Sequence, residues 1–216
     1  MTEAYDPTKE VYDAKKDPKL SLYIKFLKER IFFEPQSATL HYNLALAYTH
    51  KGQIDEAISE YKQAIESDPA LAQAYVNMGG LYFQKGNIDG CIEANEKAVE
   101  LDPAIPGAHA NLAFAYLQKG DWEKAIGAAQ GALKLNPGFL LAHNVLSVAC
   151  FQSGRYEESI AAALKILEMN ESFAPAHHNL ALAYGRTGNP EKAAEHREKA
   201  KALGYPVDDQ ETGGSK

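Results

Sequence analysis

Asparagine recurs in this sequence at a fixed spacing of 34 residues. The set is Asn43, Asn77, Asn111 and Asn179, and Val145 stands at the position that would complete it. An amide side chain both donates and accepts hydrogen bonds. A row of such amides can therefore pair with the main chain of an extended peptide, whatever that peptide's sequence. The alternative is that each amide braces a neighbouring helix of its own chain.

Histidine recurs at the same spacing. The members are His41, His109, His143 and His177. Imidazole is a common metal ligand, but residues one period apart lie on parallel elements, too far apart to share one ion. We therefore expect these side chains to pack structurally, and we predict no metal site. The neighbours His177 and His178 point to different sides of a helix, which makes them a poor pair of ligands.

Other chemistry is not signalled by the sequence. It contains no phosphate-binding loop, no dinucleotide fingerprint and no nucleophile elbow. We therefore predict no catalytic residue and no cofactor.

Glycine and proline follow the same period. Glycine stands at residues 52, 86, 120, 154 and 188, and proline at residues 69, 103 and 137. Between them, apolar residues fall at helical spacing, for example Leu40, Leu44 and Tyr48, then Ala57 and Tyr61. Each unit is therefore predicted to contain two helices, with glycine ending the first and proline closing the second. The units are residues 38–71, 72–105, 106–139, 140–173 and 174–207.

In this pattern the chain resembles the tetratricopeptide repeat family. Counting each unit from 1, the family has Leu at position 7, small residues at 8, 20 and 27, Tyr at 11, an aromatic residue at 24 and Pro at 32. The first unit carries Leu44, Ala45, Tyr48, Ala57, Tyr61, Ala64 and Pro69 at these positions. The fourth unit is the weakest match, because Cys150 replaces the tyrosine, Ile166 an alanine and Glu171 the proline. The resemblance implies an all-α fold, a right-handed α-solenoid of five repeats that is stabilised by stacking.

The segment before the first unit has the features of a cap. Asp17 is a candidate N-cap residue and Pro18 a candidate first helical residue. The amphipathic stretch Lys19–Phe33 aligns, one period earlier, with the second helix of a repeat. The first helix of that repeat is missing from the pattern. We predict a capping helix within residues 18–37 that shields the first unit. Residues 1–17 are interpreted as a flexible arm and residues 208–216 as a disordered tail.

The resemblance also implies a concave groove, lined by positions 2, 5, 6, 9, 12 and 13 of the first helices. The recurrent asparagines fall at position 6, and apolar residues at position 12 suggest anchoring pockets for a partner. Packing against the next first helix is the alternative for position 12. The predicted peptide-binding residues are Asn43, Asn77, Asn111, Asn179, Tyr42, Leu46, Phe83, Gln84, Phe114, Leu117, Gln118, Phe151, Gln152, Leu182 and Arg186.

We therefore predict a non-enzymatic protein-interaction module that binds an extended or helical peptide segment of another protein. A chaperone adaptor that clamps a terminal carboxylate is disfavoured, because Tyr42, Val76 or Ala110 stands where that clamp has a lysine. The alternative function is a self-assembling scaffold of the bacterial assembly or organelle-associated type. Such a scaffold would form homo-oligomers through the N-terminal helix and the groove.

Composition agrees with these expectations. The net charge is −7 and the isoelectric point is near 5.5, which argues against nucleic acid or an anionic membrane as the main target. Cys91 and Cys150 fall in different units, so we expect no disulfide and a reducing compartment. No secretion signal or membrane-spanning stretch is recognisable. We therefore expect no membrane insertion and a cytoplasmic location.

Overall fold

The computed structural model describes residues 17–207, and within this range it contains eleven α-helices and no strand. The helices are α1 (Pro18–Phe33), α2 (Ala38–Lys51), α3 (Ile54–Ser67), α4 (Ala72–Gln84), α5 (Ile88–Leu101), α6 (Pro106–Lys119), α7 (Trp122–Leu135), α8 (Leu140–Gln152), α9 (Tyr156–Met169), α10 (Ala174–Arg186) and α11 (Pro190–Ala202). The all-α prediction is confirmed. The predictions for residues 1–16 and 208–216 lie outside the described residues.

Left-handed glycines separate the two helices of each repeat. Gly52 follows α2 with φ 72°, and its N–H donates to the carbonyl oxygens of Thr49 and Tyr48. Gly120 ends α6 in the same way with φ 79°. Residues with a Cβ rarely adopt this conformation, so the period of glycine in the sequence marks the turn inside each repeat.

In each of the first four repeats, an aspartate or asparagine closes the second helix. Asp68 ends α3 in an extended conformation, and its side chain accepts a hydrogen bond of 3.0 Å from the N–H of Ala70. Asn170 ends α9 in the same way and accepts from Ser172 at 3.1 Å. Asp102 and Asn136 repeat the arrangement. This side-chain turn explains why the fourth repeat closes normally although Glu171 replaces the proline that we expected to close it.

Helix α1 begins as the sequence predicts. The side chain of Asp17 accepts a hydrogen bond of 2.8 Å from the N–H of Lys19, and Pro18 is the first helical residue. The helix packs against α2. The expectation that its apolar residues shield the first unit holds only for one face, which buries Ile24 and Leu27. Leu20 and Ile31 are half-buried, while Leu22, Phe26 and Phe33 are exposed.

The chain divides into two compact units, residues 1–81 and residues 82–216. In the first unit α1 packs against α2, and α2 packs against α3. In the second unit each helix from α5 to α11 packs against the next, and α8 also contacts both α6 and α10. The first helices of successive repeats in the second unit therefore lie side by side.

Small residues allow this close packing. Ala113, Ala125, Ala129 and Ala132 are all fully buried, at or next to the crossings of α6, α7 and α8. Leu112 lies in the middle of the resulting cluster and is 6% exposed. The large side chains fill the space that the alanines leave, as interior packing at crystal-like density requires.

Replacing Leu112 by alanine should lower the free energy of unfolding by about 2–5 kcal/mol, because it leaves a cavity among residues that cannot collapse onto it. Urea unfolding measures this change. Leu164→Ala is the matched control, since Leu164 lies on α9 and is 39% exposed. A loss for Leu112→Ala no larger than that of the control would contradict the placement of Leu112.

Candidate functional site

The four recurrent histidines make one common contact. In each case Nε2 lies 2.9–3.1 Å from the carbonyl oxygen of the residue six positions earlier in the chain. The pairs are His41 with Pro35, His109 with Pro103, His143 with Pro137 and His177 with Glu171. A carbonyl oxygen only accepts, so each Nε2 carries a proton and donates it. The histidines therefore tie the turn between repeats to the helix that follows.

Two of these histidines use Nδ1 as well. Nδ1 of His41 lies 2.6 Å from Oε2 of Glu60 on α3, and Nδ1 of His177 lies 2.9 Å from Nδ1 of His196 on α11. Both contacts join the two helices of one repeat. Among residues 17–207, no group of three or more histidine, cysteine, aspartate or glutamate side chains is arranged to hold a metal ion.

Three of the recurrent asparagines, Asn77, Asn111 and Asn179, make side-chain hydrogen bonds within the chain. Nδ2 of Asn77 donates to the hydroxyl of Tyr42 at 3.2 Å. Nδ2 of Asn179 donates to Oδ1 of Asn144 at 3.1 Å. In both pairs, position 6 of one repeat bonds to position 5 of the preceding repeat. These donors brace adjacent first helices, which is the alternative that the sequence left open.

The same pairing explains the gap at Val145. The residue at position 5 of the preceding repeat is Ala110, which offers no hydrogen-bonding group, and both Ala110 and Val145 are buried. An asparagine at position 145 would therefore lack this partner. Comparing position 5 with position 6 of the following repeat would have indicated the bracing role of Asn77 and Asn179 from the sequence alone, but not that of Asn111, which follows Val76.

Asn111 finds a different partner. Its Nδ2 donates to Oδ1 of Asn95 at 3.1 Å. Asn95 is fully buried on α5, and its own Nδ2 donates to the carbonyl oxygen of Cys91 at 2.8 Å. Asn95 stands where the family has an aromatic residue, so this amide chain replaces a ring contact between α5 and α6.

Three of the four predicted asparagines, Asn77, Asn111 and Asn179, therefore donate hydrogen bonds within the chain. Asn179 is only 8% exposed, and one of its two side-chain N–H donors is already used. Asn77 also accepts a hydrogen bond of 3.0 Å from Nε2 of Gln73. These hydrogen bonds within the chain compete with a peptide for the same amides. Asn43, on α2, is half-buried.

The remaining predicted residues of the second unit lie on its first helices and are accessible. We call this set the aromatic–glutamine face; its half-buried members are Phe83, Phe114, Leu117, Phe151 and Leu182, and its exposed members are Gln84, Gln118, Gln152 and Arg186. Position 12 followed by position 13 reads Phe-Gln, Leu-Gln and Phe-Gln in three successive repeats. The exposed amides of this face are therefore glutamines at position 13 rather than asparagines at position 6.

Ring contacts join neighbouring members of the face. Phe83, near the end of α4, meets Phe114 of α6 edge to face, with ring centroids 6.5 Å apart. The guanidinium of Arg186 on α10 lies 6.0 Å from the ring centroid of Phe151 on α8. Leu117 and Phe114 also pack against the buried cluster around Leu112. Packing against neighbouring side chains therefore holds these residues in place, while part of each remains accessible to solvent.

The first unit carries comparable residues on α2. Tyr42 and Leu46 are both half-buried, and the ring of Tyr42 packs against Tyr61 of α3 with centroids 5.8 Å apart.

Both cysteines are free and buried. Burial raises the pKa of Cys91 and the pKa of Cys150 to about 11 each. At neutral pH both side chains are therefore protonated thiols and weak nucleophiles.

Protein-family models identify the fold. A model described as TPR repeat matches residues 45–86 and 79–120, and models described as tetratricopeptide repeat match residues 111–177 and 174–199. The matches together run from residue 45 to residue 199. The chain therefore belongs to the tetratricopeptide repeat family, as its sequence pattern predicts. No curated protein sequence matched the chain.

Solved structures agree with this assignment. A crystal structure of MamA is 26% identical, with a TM-score of 0.72, over 77% of this chain and 91% of MamA. MamA from Desulfovibrio magneticus RS-1 is 20% identical, with a TM-score of 0.72, over 77% of this chain and 94% of the other. YrrB, described as a TPR protein with an unusual peptide-binding site, is 22% identical, with a TM-score of 0.76, over 82% of this chain and 91% of its own. The two likenesses below 25% identity show the fold alone.

Repeats of this family generally form protein-interaction modules without enzymatic activity, and this chain is of the protein-interaction type. None of the helices within residues 17–207 is long and apolar enough to cross a membrane.

The last repeat contains a stack of rings around His196. His196 stacks on Tyr184, with centroids 5.7 Å apart, and on His177, with centroids 5.2 Å apart. Burial lowers the pKa of His196, and the neighbouring His177 and Lys199 lower it further, while Glu195 opposes them. The unfolded chain therefore binds a proton at this site more readily than the folded chain does.

The free energy of unfolding should consequently fall as the pH drops below about 6.5, the ordinary pKa of histidine. Replacing His196 by phenylalanine keeps the stacking ring but removes the titration, so the acid-induced loss should be smaller in this variant. Thermal unfolding at neutral and mildly acidic pH measures the difference. His50→Phe, at an exposed position, is the control. Equal acid sensitivity of wild type and His196→Phe would contradict the assignment.

Proposed function

We propose that the second unit binds an extended segment of another protein across its first helices, with the aromatic–glutamine face as the contact surface. The observation that carries this proposal is the repetition of an accessible apolar side chain beside an exposed glutamine. It occurs at Phe83 and Gln84, at Leu117 and Gln118, and at Phe151 and Gln152. A surface with equivalent contacts at equal intervals suits a ligand that is itself periodic, and an extended main chain is such a ligand.

The spacing supports an extended peptide. Packed helices lie roughly 8–10 Å apart, and an extended chain advances about 3.3 Å per residue. Neighbouring repeats are therefore separated by about three residues of such a chain. One glutamine per three residues can donate to a carbonyl oxygen of the peptide and accept from an N–H, irrespective of the side chains that the peptide carries.

The apolar members supply most of the expected affinity. Each glutamine contributes only about 0.5–1.5 kcal/mol, because it exchanges hydrogen bonds with water for hydrogen bonds with the peptide. Rings that are fixed at their base and accessible at their edge act as anchors for apolar side chains of a partner. Phe151 fits this role, since Tyr156 and Arg186 hold its ring from two sides.

The electrostatics of the face indicate the chemistry of the partner. Gln84, Gln118 and Gln152 are neutral, and Arg186 on α10 is the charged member of the set. A suitable partner segment is therefore largely uncharged, with apolar side chains at intervals of about three residues, and it places an acidic group next to Arg186. An acidic group at that point would pair with the guanidinium, while a basic group would be repelled.

Several predicted residues lie outside this proposal. Asn111 and Asn179 brace helices of the second unit. Tyr42, Asn43, Leu46 and Asn77 belong to the first unit, and we propose no contact for them here.

The proposal is tested with peptides selected from a random library against the full chain. Phe151→Ala should weaken the binding of a selected peptide at least tenfold, a loss of about 1.4 kcal/mol or more. Gln118→Ala and Gln152→Ala should each weaken the binding of that peptide by about 0.5–1.5 kcal/mol, the contribution of one hydrogen bond. Isothermal titration calorimetry measures the affinities.

Leu135→Ala and Leu164→Ala are the controls for this experiment, because both residues are exposed on second helices. They should leave the affinity unchanged. The glutamine variants change only exposed side chains, so they keep the test valid if Phe151→Ala disturbs the fold. An equal loss of peptide affinity in the control variants and in the variants of the aromatic–glutamine face would contradict the proposal.

A further inference from the structure

Helix α1 presents an apolar face that none of the described residues 17–81 covers. Leu22 is 68% exposed, Tyr23 44% and Phe26 53%. Large apolar side chains in such a cluster are uncommon on the surface of a helix that has no partner. The residues beside them are charged, and Lys19, Lys25 and Glu29 line the same shallow depression.

The position of α1 in the repeat pattern explains why this face is open. Ile24 and Leu27 are buried and correspond, one period earlier, to Ile58 and Tyr61, which are buried in α3. Helix α1 thus packs against α2 as a second helix packs against the next repeat. The exposed face is the one that would meet a first helix of its own repeat.

This face is not built to receive such a first helix. In the first complete repeat, Ala57 and Ala64 are fully buried where the two helices of the repeat approach each other. The equivalent residues of α1 are Tyr23 and Arg30, which are exposed and too large for the same close approach. In the preceding sequence, Glu10 stands at the register position where the family has a buried leucine.

The charge pattern of this face is complementary to that of a second, antiparallel copy of the same face. Lys19, Leu22, Phe26, Glu29 and Phe33 follow one another at spacings of three and four residues, which forms a single stripe along the helix. The stripe is basic at its beginning and acidic further on. If two copies of α1 are placed antiparallel, Lys19 meets Glu29 of the second copy, and Leu22 meets Phe26 of the second copy.

We propose that α1 pairs antiparallel with α1 of a second copy of this chain, about a twofold axis between Leu22 and Phe26. The central contact is apolar and is repeated by the symmetry. Two Lys19–Glu29 ion pairs flank it and set the direction of pairing. Tyr23 of one copy lies beside Lys25 of the other, where the ammonium group can approach the ring.

The contact is small, so the dimer is weak and reversible. Helix α1 has 16 residues, which corresponds to a length of roughly 24 Å. A single helical face of this length lies at the lower end of the size range for specific interfaces. Self-association should therefore depend on protein concentration and weaken with added salt.

Charge reversal tests the proposal in the full chain. Lys19→Glu and Glu29→Lys should each weaken self-association at least tenfold, because each places like charges opposite each other at both ends of the contact. An equimolar mixture of the two variants should associate again, as a heterodimer in which one ion pair has its original sign and the other has reversed sign. The double variant carrying both changes should also recover self-association. Sedimentation equilibrium over a range of concentrations measures each dissociation constant.

Lys134→Glu, an equal change of charge at an exposed site on α7, is the control and should have no effect. Phe26→Ala should weaken the dimer without lowering the stability of the monomer, because Phe26 is exposed. Binding of a selected peptide should be the same in Lys19→Glu as in wild type, which separates this proposal from the one for the aromatic–glutamine face.

Three results would overturn the proposal. The first is a wild-type chain that stays monomeric at all concentrations. The second is a mixture of Lys19→Glu and Glu29→Lys that associates no better than either variant alone. The third is a chain that associates only after residues 2–16 are deleted, which would assign the α1 face to that segment instead.

Discussion

The close approach of helices at buried alanines is the constraint on which the rest of the structure depends. Fully buried alanines such as Ala113, Ala125 and Ala129 leave no room for a longer side chain. Because the helices approach so closely, polar side chains on adjacent first helices reach each other, and the asparagines become braces. Residues about two turns further along the same helices remain accessible, and these include the position 12 and position 13 residues of the aromatic–glutamine face.

Most of the fold could be predicted from the sequence. A period of 34 residues predicted the helices, and glycine predicted the turn inside each repeat, because only glycine adopts the left-handed conformation there without strain. The closing turn was misjudged. Proline was expected to close the second helix, but in the first four repeats the side chains of Asp68, Asp102, Asn136 and Asn170 form the closing turn, including in the fourth repeat, which lacks the proline. Short polar side chains that bond to their own main chain are a weaker sequence signal than proline.

The candidate site was harder to predict, because periodicity identifies equivalent positions but not their contacts. The asparagines and the glutamines have the same side-chain chemistry and the same period. They differ in what lies across from them: Asn179 faces Asn144 at 3.1 Å, whereas Gln118 and Gln152 are exposed. The exposed face of α1 could not be predicted in the same way. The amphipathic pattern predicts a helix, but it does not show which apolar residues of that helix are left without a neighbouring helix.

The central claim is that the asparagine amides brace the helices while the glutamine amides are available to a partner. Nuclear magnetic resonance of the side-chain amide groups distinguishes the two sets in one titration with a library-selected peptide. The signals of Gln84, Gln118 and Gln152 should shift as the peptide is added, while those of Asn111, Asn144 and Asn179 stay in place. Shifts confined to the asparagine signals, with the glutamine signals unmoved, would contradict the account.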